Sequence, residues 1–158
     1  MNKLTSFIFC LIFILSMAGC TQSENQTNTQ KQTEEQESSE KEEKTLKLYF
    51  NDTEIPVTWE NNVTVDELIE EASKGDITVS MSMYGDWEQV GNLGKSYTQN
   101  DTHITTENGD IVLYSGNQIV VFYGSNSWAY TKLGKMNLSE NEVIELLSNG
   151  DITLTLTY

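Results

Sequence analysis

A twenty-residue pattern occurs twice in this chain of 158 residues, at an offset of 75 positions and without gaps. Residues 64–83 read TVDELIEEASKGDITVSMSM, and residues 139–158 read SENEVIELLSNGDITLTLTY. Each copy begins with the spacing of a helix-capping box, reaches a glycine that ends the helical pattern, and continues with strictly alternating apolar and polar residues. The repeat therefore predicts two modules, each consisting of a short helix, a glycine stop and a strand buried on one face.

The two copies assign equivalent roles to equivalent residues. The predicted N-caps are Thr64 and Ser139, their capping-box partners are Glu67 and Glu142, and the predicted left-handed stops are Gly75 and Gly150. The predicted inward faces of the strands are Ile77, Val79, Met81 and Met83 in one copy and Ile152, Leu154, Leu156 and Tyr158 in the other. Asp76 and Asp151 are either a shared acidic site or turn residues. A third Gly-Asp-Ile, at 109–111, follows no capping box and favours the turn.

The rest of the domain has the pattern of β-strands. Residues 45–60 predict a hairpin that turns at Asn51-Asp52, with the single proline, Pro56, at a sheet edge. Residues 110–124 predict a second hairpin that turns at residues 115–117, and the Gly-, Asn- and Asp-rich residues 82–109 are expected to be irregular. About eight short strands and two short helices over residues 45–158 predict a mainly β fold: a closed barrel with the two helices capping its mouths.

The N-terminal segment predicts export and lipidation. Residues 1–19 have a short positive region, an apolar run and small residues at the end, as a secretory signal does. Ser-Met-Ala-Gly-Cys at 16–20 resembles the lipobox of bacterial lipoproteins, which implies cleavage after Gly19 and a diacylglyceryl group on Cys20. Residues 20–44 predict a disordered acidic and polar tether. We therefore expect a domain held at the extracytoplasmic face of the cell membrane, with the lipid bilayer as its partner through Cys20.

Charge and composition exclude several classes of function. Residues 45–158 carry 17 acidic residues and five lysines, a net charge of −12 with His103 neutral, and the whole chain has no arginine. Nucleic acid is therefore not an expected partner, whereas neutral or cationic ligands, peptides and proteins are. The domain has no cysteine and one histidine, too few for a zinc site, and we expect no cofactor. A weak calcium alternative rests on the oxygens of Asp101, Glu107, Asn108 and Asp110.

Aromatic side chains in or beside the predicted loops are the candidate contact residues. They are Tyr84, Trp87, Tyr97, Trp128 and Tyr130, which form either a stacking platform for a peptide or sugar or the packing of a small barrel. His103, the only imidazole, is a further candidate, although no GxSxG motif accompanies it and an exposed position is the simpler interpretation.

The stretch GNQIVVFYGSNSWAYTKLGKM, residues 116–136, resembles the cyclophilin fold, and more closely the small bacterial cyclophilin-like family. The resemblance extends over the domain and implies an eight-stranded barrel closed by two helices. Gln118 and Trp128 match cyclophilin positions that line the proline-binding groove.

The isomerase residues of cyclophilins are not carried over with this resemblance. The essential arginine has no counterpart, Val120 replaces a phenylalanine, and the histidine between the tryptophan and Gly-Lys is missing. Lysine cannot supply the planar guanidinium fork. We therefore expect a binding or interaction module without catalytic residues. Residual prolyl isomerase activity on envelope proteins, and small-ligand or Ca²⁺ binding, are the alternatives.

Overall fold

The computed structural model describes residues 45–158, so the predicted signal peptide, Cys20 and the tether lie outside the described residues. In chain order the elements are β1 (Lys47–Phe50), β2 (Thr53–Ile55), β3 (Val57–Trp59), α1 (Val63–Ala72), β4 (Ile77–Tyr84), β5 (Glu88–Asn92), β6 (Thr102–Thr105), β7 (Asp110–Tyr114), β8 (Gln118–Phe122), β9 (Ser127–Met136), α2 (Glu140–Leu147) and β10 (Ile152–Thr157). No helix between residues 45 and 158 has the length and apolar character needed to cross a membrane.

The strands form a nearly closed antiparallel barrel. Nine of them follow the order β2-β1-β10-β4-β5-β8-β7-β9-β3, and β6 pairs with β9 outside this path. The two edge strands, β2 and β3, are separated in the chain by Pro56 alone, so the edges of the sheet meet at a proline corner. The predicted mainly β barrel with two short helices is confirmed, with ten strands where about eight were expected.

The alternating residues of the strands fill the barrel. One buried cluster contains Leu48 and Phe50 of β1, Val79 and Met81 of β4, Ile111 and Leu113 of β7, Ile119 and Val121 of β8, and Leu154 and Leu156 of β10. It also contains Val65, Leu68 and Ala72 of α1 and Val143 and Leu147 of α2, so both helices pack on the barrel core. The predicted inward face ends earlier than expected, because Met83 and Tyr158 at the strand ends are exposed.

The capping-box prediction is confirmed for α2 and wrong for α1. In α2 the Ser139 hydroxyl accepts from the Glu142 N–H, and the Glu142 carboxylate accepts from the Ser139 N–H. Helix α1 instead starts after Asn62, whose side-chain oxygen accepts from the Val65 N–H at 3.0 Å. Asparagine is as good an N-cap as threonine, and the cap and the helix start each lie two residues earlier than predicted.

Thr64 and Glu67, the residues of the predicted box, bind a neighbouring loop. The Thr64 hydroxyl donates to the Thr98 carbonyl at 2.6 Å, and the Glu67 carboxylate accepts from the Thr98 N–H and hydroxyl at 2.8 and 2.6 Å. These hydrogen bonds to Thr98 lower the pKa of the Glu67 carboxyl. The same pair of residue positions therefore binds the β5–β6 loop in the first copy of the repeat and caps a helix in the second copy.

The glycine stops are also displaced from their predicted geometry. The helices end at Ser73 and Ser148, whose N–H groups donate to helix carbonyls, and Gly75 and Gly150 follow two residues later. The φ angles of the two glycines are 159° and 121°, outside the left-handed helical region that was predicted.

The largest correction concerns residues 82–109, which were expected to be irregular. Strand β4 runs on to Tyr84, and the chain reverses at Gly85-Asp86, where both φ angles are positive, before β5 pairs back on it. Strand β6 lies farther along the same segment. The first hairpin turns at Asn51-Asp52 as predicted, but Pro56 ends it, and β3 pairs with β9 instead of β1.

Candidate functional site

A second apolar cluster lies on the opposite side of β7 and β8 from the barrel core. It contains Val112, Val120, Phe122 and Tyr130, with Val90, Ile104 and Tyr114 partly buried against it. Strands β7 and β8 are apolar on both faces. The residues that point into the core are Ile111, Leu113, Ile119 and Val121, and the neighbouring residues that point outward are Val112, Val120 and Phe122. An apolar outward face of this kind provides the floor of a binding site.

A pocket of about 510 Å³ opens over this cluster. We call it the outer pocket. It is lined by Tyr84 from β4, Glu88 and Val90 from β5, Tyr114 from β7, Gln118 and Val120 from β8, Asn126 from the β8–β9 loop, and Trp128 and Tyr130 from β9. Its lining is mostly apolar and aromatic with a few polar groups, the composition typical of small-molecule and peptide sites.

Four of the seven predicted contact residues meet in the outer pocket: Tyr84, Gln118, Trp128 and Tyr130. Trp87, Tyr97 and His103 do not line it, and Tyr97 is buried in the barrel core cluster. The Trp87 ring packs against Gly85, and its Cβ packs against Gly124. His103 is exposed on β6, opposite Ala129 of β9.

Tyr130 is fixed in the pocket wall by aromatic and polar contacts. Its ring meets those of Tyr114 and Phe122 edge to face, with centroids 5.9 and 5.7 Å apart. Its hydroxyl accepts from the Asn126 side-chain amide at 3.0 Å. Asn126 is held in turn by buried Thr106, whose hydroxyl accepts from the Asn126 N–H at 2.9 Å. This wall is therefore organised before any ligand arrives, which lowers the entropy cost of binding.

Glu88 is the one acidic residue of the pocket lining, and its side chain is unpaired. The residue is 7% exposed, and its Oε2 has no hydrogen-bond partner among residues 45–158. Burial raises the pKa of the Glu88 carboxyl to about 7. Burial first, and the Glu88 charge second, also raise the pKa of the Tyr130 phenol. A carboxyl that titrates near neutrality inside an apolar pocket is typical of functional sites.

Sequence reasoning missed Glu88 because it lies in the segment expected to be irregular, where an acidic residue is normally solvated. Tyr114 and Val90 were missed as pocket residues for a related reason. Their outward positions become a wall only through the pairing of β5 with β8 and of β8 with β7. No local pattern in the sequence carries that register.

Three of the four residues of the calcium alternative, Asp101, Glu107 and Asp110, have other partners. Asp101 accepts from the Thr131 hydroxyl at 2.6 Å, and Glu107 pairs with Lys135 at 2.7 Å. Asp110 lies near Lys132 and accepts from the Glu107 N–H. Within residues 45–158 no three His, Cys, Asp or Glu side chains are grouped so that they could hold a metal ion. Asp151, one of the repeated aspartates, accepts from the Met83 N–H at 3.3 Å at the end of the β4–β10 pair.

Comparison with known proteins gives one match. A family model described as "Cyclophilin-like family" matches residues 48–157, from β1 to the end of β10, and so includes every strand that lines the outer pocket. No curated protein and no solved structure matches the chain.

Proposed function

This chain belongs to the cyclophilin-like family, and from that premise we propose that its domain is a binding module whose outer pocket receives a peptide or a small neutral or cationic ligand. The observation that carries the proposal is the pocket itself. Its volume of about 510 Å³ lies in the range of small-ligand sites, and its four aromatic side chains surround an apolar floor.

Exposed aromatic residues at the pocket rim support this function. Trp128 is 56% exposed and Tyr84 is 67% exposed, although both line the pocket. Large aromatic side chains gain much free energy when a partner covers them, and tryptophan and tyrosine are the residues most enriched at binding hot spots. The rim therefore offers area for contact that the fold does not use for its own stability.

Truncation of Trp128 tests the binding role. Trp128→Ala should weaken binding at least about tenfold while lowering the free energy of unfolding by less than about 1 kcal/mol, because the side chain is mostly outside the core. The measurement is an NMR fragment and peptide screen on the purified full-length protein, followed by titration of hits and urea unfolding.

Tyr158→Ala is the matched control, since Tyr158 is also an exposed aromatic residue but does not line the pocket. Equal loss of binding in both variants, or a Trp128→Ala variant that loses stability and affinity in parallel, would contradict the proposal.

We further propose that the module does not catalyse prolyl isomerisation. Gln118 and Trp128 meet in the outer pocket, which keeps the isomerase alternative open, but the chain has no arginine and Val120 forms part of the pocket lining. A proline tetrapeptide assay should return the uncatalysed rate. Turnover that disappears in Gln118→Ala would establish the alternative.

The proposed site of action is the extracytoplasmic face of the cell membrane. The lipobox-like sequence at 16–20 supports acylation of Cys20, and residues 21–44 supply a polar spacer before the domain. Cys20→Ala should move the protein from the membrane fraction to the soluble fraction. Retention of that variant in the membrane would exclude Cys20 as the anchor.

A further inference from the structure

We propose that the outer pocket selects ligands that carry an alkylammonium group, which Glu88 pairs with and the pocket aromatics surround. This inference rests on the proposed binding function and narrows it to one ligand chemistry.

The first support is the unsatisfied carboxylate. Glu88 is only 7% exposed, lines the pocket, and has an Oε2 without a hydrogen-bond partner among residues 45–158. A buried charge without a partner costs several kcal/mol, and proteins normally provide one. Strand β5 places this carboxyl beside Val90 at the pocket floor, so a ligand cation entering the pocket supplies the missing partner.

The second support is the aromatic enclosure. Tyr84, Tyr114, Trp128 and Tyr130 contribute rings to the same pocket that holds Glu88. Ring faces attract cations, and sites for quaternary ammonium and methylated lysine groups are built as cages of such rings. The combination of several rings with one buried carboxylate distinguishes this pocket from a purely apolar groove.

The third support is the charge around the site. No lysine lines the pocket. All five lysines in residues 45–158 pair with carboxylates elsewhere: Lys47 with Glu54, Lys74 with Glu70, Lys95 with Glu71, Lys132 with Asp110, and Lys135 with Glu107. The domain carries a net charge of −12, and its field raises the local concentration of cations. Both the local and the long-range electrostatics therefore favour a positive ligand over an anion.

The titration of Glu88 makes the inference testable by pH. The titratable groups around Glu88 are the phenols of Tyr84, Tyr114, Tyr123 and Tyr130 and the carboxylate of Asp86 in the β4–β5 turn. Burial raises the pKa of the Tyr123 and Tyr130 phenols further above neutrality. Burial also raises the pKa of Glu88 to about 7, so Glu88 is the group that we expect to change charge near neutral pH. A ligand cation pairs only with the ionised carboxylate of Glu88. The affinity of the cation for the pocket should therefore fall by up to tenfold per pH unit below pH 7 and level off above pH 7.

The probes are two cations with their uncharged counterparts. Choline is compared with 3,3-dimethylbutan-1-ol, and N-acetyl-lysine methylamide with the corresponding norleucine compound. Each is titrated at millimolar concentrations into the full-length protein in a maltoside detergent, and the amide shifts of β5, β8 and β9 are followed by NMR. We expect saturable shifts for at least one cation and about tenfold weaker binding of its counterpart. The cation that binds more tightly identifies a methylated ammonium or a lysine side chain as the preferred source.

Glu88→Gln keeps the shape of the side chain and removes its charge, so it should abolish both the preference for the cation and the pH dependence. Glu145→Gln, which changes the same charge at an exposed position on α2, should leave both unchanged. If a neutral counterpart binds as well as its cation, or if affinity rises on acidification, the ammonium inference is overturned while the binding pocket stands. If none of the four compounds shifts the pocket signals, the inference is overturned as well. The proposed function then fails only if the fragment screen also finds no ligand for the pocket.

Discussion

Glu88 is positioned by strand geometry, and no lysine between residues 45 and 158 forms an ion pair with it. It pairs with Phe122 of β8 in the sheet, and this register turns its side chain to the face that carries the outer pocket. The cost of this placement appears as the rise of its pKa from 4.5 to about 7, which is caused by burial. The residue therefore destabilises the empty domain at neutral pH, as expected for a group kept for binding.

Glu88→Gln should stabilise the domain, and the gain should depend on pH. The folded-state pKa is above the unfolded value, so the wild type loses stability as the pH rises from about 4.5 to about 7, by up to about 3 kcal/mol. The variant lacks this loss. Its free energy of unfolding, measured with urea, should therefore exceed that of the wild type by little at about pH 5 and by about 1–3 kcal/mol at about pH 8. A gain in the free energy of unfolding of the same size at both pH values would show that folding does not raise the pKa of Glu88.

The pocket residues show how far the sequence alone reaches at this scale. Gln118 and Trp128 could be named from the family resemblance, and Tyr84 and Tyr130 from the abundance of aromatic residues in the predicted loops. All four line the pocket. Glu88 could not be named, because its importance comes from burial and the absence of a cation, and both depend on neighbours that are distant in the chain.

At the scale of the elements, the repeat predicts both helix–strand modules, and β4 and β10 pair with each other as neighbours in the barrel. The details diverge where tertiary contacts differ. Asn62 caps α1 and also donates to the Lys132 carbonyl at 2.8 Å, which ties the helix to β9. Asn137 holds the equivalent position before α2, but its side-chain oxygen accepts from the Thr58 hydroxyl at 3.0 Å, and α2 keeps the capping box. The sequence around each helix start predicts that a helix begins there, but it does not predict which of two suitable residues is the N-cap.

The close approach of β4 and β5 gives a prediction at the same scale. Gly91 faces the core, and a Cβ there would run into Val79 Cγ1, lie 2.5 Å from the Met81 sulfur and 2.9 Å from the Ser80 carbonyl oxygen. Gly91→Ala should therefore lower the free energy of unfolding by about 1–3 kcal/mol. Urea denaturation measures the loss.

A double-mutant cycle identifies the cause of that loss. Val79→Ala removes one of the colliding methyl groups, so the pair Gly91→Ala/Val79→Ala should be less destabilised than the sum of the single variants by at least about 0.5 kcal/mol. Strict additivity would mean that the cost arises from strand propensity and not from the collision with Val79.

At the scale of the whole molecule, the barrel is closed between two edge strands that share no backbone hydrogen-bond ladder. The edge strands β2 and β3 are not paired with each other, and Pro56 joins them through the chain. The Trp59 indole N–H donates to the Leu46 carbonyl at 2.7 Å, which links β3 to the residue before β1 across this seam. The sequence predicted the edge role of Pro56, but it could not reveal that both edges meet there, because closure depends on the curvature of all nine strands.

Trp59→Phe tests this seam, because it keeps an aromatic ring but removes the donor to the Leu46 carbonyl. The loss of one hydrogen bond should lower the free energy of unfolding by about 1 kcal/mol, and the unpaired carbonyl should raise hydrogen exchange mainly in β1, β2 and β3. Trp87→Phe is the control, since Trp87 lies in the β4–β5 turn and packs against Gly85 and Gly124. Strand β8, which at least two strands separate from each edge of the sheet, should keep its slow exchange in both variants. If exchange accelerates there as much as at the seam, the indole hydrogen bond stabilises the whole barrel and not only the strands at the seam. If it accelerates nowhere, the proline corner and the paired strands close the barrel without this bond.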